Sequence, residues 1–148
     1  MRWPHLERHF PRLRGTPYSV TSCQDTRYNC VAWAAGDSRR AWWPRVGKGA
    51  VPGRSYHWPR PPEGETLDEF LTVFRSLGYE TCVSRELEQG FCKVAIYVAH
   101  GNPSHVARQL PTGEWTSKLG DYEDITHVLQ GLEDSDYGRV AVIMRRRL

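Results

Sequence analysis

Apolar positions recur along this chain in three rhythms. Over residues 66–78, "TLDEFLTVFRSLG", Leu67, Phe70, Leu71, Phe74 and Leu77 fall on one face at helical spacing. Thr66 and Glu69 form a capping-box pair at its start, and Gly78 marks its end. Over residues 31–35, "VAWAA", the pattern is apolar on every side, which predicts a short buried helix stopping at Gly36. Beyond residue 78 the period falls to two. Residues 79–83, 92–99, 105–110, 114–119 and 138–145 read as strands. The stretch "EDITHVLQGL", 123–132, reads as one more short helix. Residues 1–22 are rich in Pro and Arg and are expected to wrap the surface. Helices early and strands late predict an α+β domain over residues 1–148, with a mainly antiparallel sheet of about five strands.

Residues 39–65 fit none of these rhythms. The segment holds five prolines, four glycines and three tryptophans, Trp42, Trp43 and Trp58. Long loops in compact domains are functional or disordered, and three tryptophans argue against disorder. They form either a satellite core under the loop or the aromatic wall of a substrate cleft, the former being the safer expectation.

Composition narrows the function classes. With 148 residues, 39 % apolar and 25 % charged, the chain suits one globular core. A formal charge of +3 is too small and too dispersed to argue for nucleic acid as a partner, and Arg145, Arg146 and Arg147 read as a solvated end. No apolar run is long enough for a membrane span, and "MRWPHLERHF" has no apolar leader. A cytoplasmic setting is expected, or delivery by a specialised secretion route. Cys23, Cys30, Cys82 and Cys92 are then expected as free thiols. With no Cys-x-x-Cys pair and six scattered histidines, neither a metal nor another cofactor is called for.

The chemistry centres on Cys30. It stands at the predicted start of the "VAWAA" helix, with Asn29 as cap, where unpaired N–H groups favour a thiolate. A thiol nucleophile needs an imidazole to take its proton and a polar group to orient that imidazole. His105, opening a strand after the polar turn "HGNPS", is the candidate base. A three-residue hairpin loop at Pro111, Thr112 and Gly113 pairs Leu110 with Glu114 and places His105, Ala107, Ser117 and Leu119 on one sheet face. Ser117 then accepts the imidazole N–H. A two-residue turn would put Lys118 there instead. Asp121, Glu123 and Asp124 are alternative orienters, and His100 is the rival base, expected at the surface. His127 is expected to be exposed or capping. Cys23, Cys82 and Cys92 read as bystanders.

These residues carry a resemblance. Gln24, five residues, then Cys30 and an apolar, Trp-containing helix resembles the active-site segment of papain-like cysteine peptidases. "HVARQLPTGEWTS" resembles the His-led strand pair of that superfamily, especially its bacterial cell-wall amidase branch. There the third polar residue lies twelve positions after the histidine, here Ser117, where the family carries Asn, His or Asp. "YNCVAWAAGD", "TSKLG" and "ITH" are similar to a group of small uncharacterised bacterial proteins. The resemblance implies a papain-like core with a reduced substrate lobe. It assigns Cys30 as nucleophile, His105 as base, and Gln24 with the Cys30 N–H as the oxyanion hole. The implied activity is hydrolysis of an amide bond, as a peptidase, isopeptidase or glutamine deamidase. The partner is then a protein or peptide substrate and, if the domain is an interbacterial toxin, a dedicated inhibitor protein. The alternative is a papain-like module with a disabled triad that binds a peptide or protein.

Overall fold

The computed structural model describes residues 2–22, 27–44, 54–120 and 122–148. Among the described residues, three helices and two 3-10 turns pack on one sheet. Helix α1 (Pro4–His9) runs into a 3-10 turn (Pro11–Gly15) and strand β1 (Tyr18–Ser22). Helix α2 (Cys30–Ala34) and helix α3 (Leu67–Ser76) follow. The rest is β2 (Glu80–Cys82), β3 (Phe91–Ala99), β4 (Asn102–Gln109), β5 (Trp115–Lys118), β6 (Asp124–His127), a 3-10 turn (Leu129–Leu132) and β7 (Arg139–Arg147). The sheet order is β1-β6-β5-β4-β3-β7-β2, and every pairing is antiparallel. The α+β class and the mainly antiparallel sheet are as the sequence predicts, with seven strands among the described residues rather than about five.

Three predictions are corrected. Residues 1–22 do not simply wrap the surface: Leu6, Phe10 and Leu13 are buried. Burying such a side chain is worth about 1.5–3 kcal/mol, enough to dock the segment and add β1 to the sheet edge. Residues 123–132 are a strand followed by a 3-10 turn, because Ile125 and His127 alternate with Asp124 and Thr126 across the sheet. Strand β4 begins at Asn102, since the turn before it is only His100 and Gly101, both at positive φ, with Ala99 paired to Asn102.

Two of the three predicted helices form, α2 and α3. Thr66 Oγ1 accepts the Glu69 N–H at 3.2 Å. The Glu69 carboxylate does not close the box. It accepts instead from the Glu63 N–H and from Trp58 Nε1 at 2.8 Å, tying the long loop to α3. Helix α2 ends in a Schellman turn, with Gly36 at φ +86° and the Asp37 N–H on the Ala32 carbonyl.

The sheet separates two cores. On one face Val94, Ile96, Val106 and Met144 meet α2, α3, Trp42 and Trp43. On the other, Ala95, Tyr97, Ala107, Trp115, Leu119 and Ile125 meet Leu6, Phe10, Leu13, Leu129 and Leu132.

Candidate active site

The 110–114 hairpin takes the predicted register. Gly113 has φ +92°, the Leu110 N–H donates to the Glu114 carbonyl at 2.8 Å, and Arg108 and Gln109 pair with Thr116 and Trp115. The β4–β5 ladder holds only those two strand pairs, so the strands are unpaired toward His105 and Ser117. Those two side chains meet there, with His105 Nε2 and Ser117 Oγ 2.9 Å apart and both residues fully buried.

The line of bonds continues. Ser117 Oγ lies 2.7 Å from His127 Nε2, and His127 Nδ1 lies 2.8 Å from the Val128 carbonyl oxygen. His127 is buried, against the expectation of an exposed or capping residue, because it sits on strand β6 opposite Trp115 with Ser117 as its diagonal neighbour. Tyr137 stacks on His105 with ring centroids 4.1 Å apart and planes within 7°, and Tyr97 meets the same ring edge-on. Burial pushes the pKa of His105 well down, with the neighbouring His127 adding to the effect, and burial takes His127 down to about 4. Both rings are neutral at pH 7. His105 Nδ1 is buried and has no hydrogen-bond partner.

Cys30 heads α2, and Asn29 caps it. The Asn29 side-chain oxygen accepts the Ala32 N–H at 3.1 Å and the Trp42 N–H at 2.9 Å, while its amide donates to the Trp42 carbonyl. Cys30 is buried in the α2 core, and burial pushes its thiol up to about 11. The N–H groups of Val106, Val31 and Cys30 itself oppose that shift, as does the Lys118 charge. The expected depressed thiol is therefore corrected. A five-residue helix carries only a small end charge, and desolvation outweighs it. Val106 directly follows His105, and alternation along β4 separates them: Val106 lies in the core that holds Cys30, whereas His105 lies on the other face with Tyr97 and Tyr137. No hydrogen bond joins sulfur and imidazole, since His105 Nδ1 is unpartnered.

The other predicted residues fall elsewhere. Gln24, Cys23 and Asp121 lie outside the described residues. His100 is exposed on the β3–β4 turn. Glu123 bonds His5 at 3.0 Å, and Asp124 accepts from the hydroxyls of Tyr28 and Ser22, so neither bonds His105. Trp42 and Trp43 are buried core residues. Trp43 donates to Glu65 and stands edge-on to Phe70. Trp58 is half-buried against the same core. Cys82 and Cys92 are free and half-buried, and Cys92 Sγ lies 3.6 Å from the Tyr79 hydroxyl. Sequence reasoning missed His127, Tyr137 and the buried Lys118. The only signal for the first was the four-residue alternation of "DITH".

Fold and side-chain arrangement define an antiparallel α+β domain in which a helix-heading cysteine and a buried His–Ser–His line flank strand β4. The chain belongs to the family described as Domain of unknown function (DUF7689), whose model matches residues 19–145. No curated protein and no solved structure matches it. No helix among the described residues is long and apolar enough to cross a membrane.

Proposed function

We propose that this domain is a papain-like cysteine hydrolase acting on an amide bond in a peptide, an isopeptide or a glutamine side chain. The observation that carries the reading is the unpartnered, buried Nδ1 of His105, one residue from the Val106 N–H that faces the Cys30 sulfur. An imidazole nitrogen buried without a partner costs about 1–3 kcal/mol, a cost that a role in proton transfer accounts for.

The resting pair is neutral, so the thiol proton moves to His105 as the sulfur attacks the carbonyl carbon. The carbonyl oxygen gains the negative charge, which the Cys30 N–H and Gln24 would stabilise. Collapse expels the amine, which takes the proton from His105 and leaves a thioester on Cys30. Water then attacks, His105 takes its proton, and the acid leaves as the thiol is restored. A toxin setting with a dedicated inhibitor protein is one biological form of this chemistry.

One observation favours the alternative, a non-enzymatic module: the burial of Cys30, whose thiol is held up at about 11. A panel of fluorogenic peptides, isopeptides and glutamine amides separates the two. Hydrolysis that disappears in Cys30→Ala, with a thioester mass on Cys30 in the native chain, supports the hydrolase. Hydrolysis that survives in Cys30→Ala would contradict it.

A further inference from the structure

A histidine bonded to a serine hydroxyl can hold either tautomer, because the hydroxyl both donates and accepts. Here the choice is made at the far end of the line. The Val128 carbonyl can only accept, so His127 Nδ1 carries the hydrogen. The ring is neutral, so its Nε2 is a lone pair, and Ser117 must donate to it. With its single hydrogen engaged, Ser117 can only accept from His105 Nε2–H. The neutral His105 is left with a lone pair on Nδ1, the nitrogen that has no partner.

We infer that His127 is a positioning residue: acting through Ser117, it holds His105 as the Nε2–H tautomer and so keeps Nδ1 free to take a proton. The consequence for catalysis rests on the hydrolase reading, whereas the tautomer assignment does not. It also bears on the serine that stands where the resembled family carries Asn, His or Asp. A hydroxyl alone can turn either way, and His127 with the Val128 carbonyl removes that freedom.

Long-range proton–nitrogen NMR on the full chain, uniformly labelled with nitrogen-15 at pH 7.5, tests this directly. The expected spectrum has His127 protonated on Nδ1 and His105 on Nε2. His127→Phe removes the acceptor of the Ser117 hydrogen. It is expected to put part of His105 into the Nδ1–H form and to slow iodoacetamide labelling of Cys30 at least about fivefold. His127→Gln, whose side-chain carbonyl can take the same hydrogen, is expected to restore both. A wild-type spectrum with the tautomers reversed overturns the inference, as does a folded His127→Phe in which His105 keeps Nε2–H. If both variants unfold, the wild-type tautomers decide. If Cys30 proves unreactive while the tautomers are as stated, the hydrolase reading fails and the role of His127 in setting the tautomer stands.

Discussion

At the scale of single residues, the outcome at Cys30 is a contest between a short helix and a dry environment. Five residues of helix and three N–H groups lower the thiol, and burial raises it more. The chain should therefore hold Cys30 as a thiol at pH 7. Iodoacetamide labelling mapped by mass is expected to reach half-exposed Cys82 before Cys30 at that pH. Faster labelling of Cys30 below pH 7 would show a thiolate already formed. Ser117→Ala removes one neutral hydrogen bond from each of two rings. In turnover it is expected to cost about 1 kcal/mol, roughly fivefold, against complete loss in Cys30→Ala. A folded Ser117→Ala as inactive as Cys30→Ala would mean that the hydroxyl does more than orient. The place of Cys30 at a helix head and the meeting of His105 with Ser117 were legible because the first follows a cap and the second is set by a countable distance along a hairpin. His127 was not, since "EDITHVLQGL" satisfies a helical period as well as a strand period over so few residues.

At the scale of elements, the legible parts were those with a turn or cap to fix them. Gly113 in the left-handed region fixed the β4–β5 register and with it the meeting of His105 and Ser117. Strands β1 and β6 went unread because they are short and their outward residues are polar, so only pairing with each other and with β5 defines them. Gly138 sits between the Tyr137 ring and β7, at φ +72°, and a Cβ there would lie 2.0 Å from the Val98 carbonyl oxygen. Gly138→Ala is expected to lose at least about 2 kcal/mol in urea denaturation and to unseat Tyr137 from His105. A loss below about 0.5 kcal/mol would show that this loop has room to give. At α3, Thr66→Ala removes the hydroxyl that accepts the Glu69 N–H and should cost about 1 kcal/mol in the same measurement.

At the scale of the whole molecule, two neutral imidazoles lie buried in one sheet face. Both have folded pKa values below the unfolded one near 6.5. The unfolded chain therefore binds more protons as pH falls, and folding stability drops below about pH 6.5. For His127 the drop continues until its folded value of about 4, a loss of about 3 kcal/mol. Urea midpoints measured from pH 8 to pH 4 should fall steadily below 6.5, and less steeply in His127→Gln. Equal slopes in the two proteins would contradict the buried neutral His127.

The proposed hydrolase turns on His105 serving the Cys30 thiol as its base. The most direct measurement of that role is the rate of Cys30 alkylation by iodoacetamide at pH 7 in the native chain and in a folded His105→Gln, read by peptide mass. General-base assistance is typically worth 10²–10⁴-fold, and a loss of at least about tenfold at Cys30, with Cys82 and Cys92 unchanged, is the predicted result. Equal Cys30 rates in the two proteins would mean that His105 is not the base for Cys30.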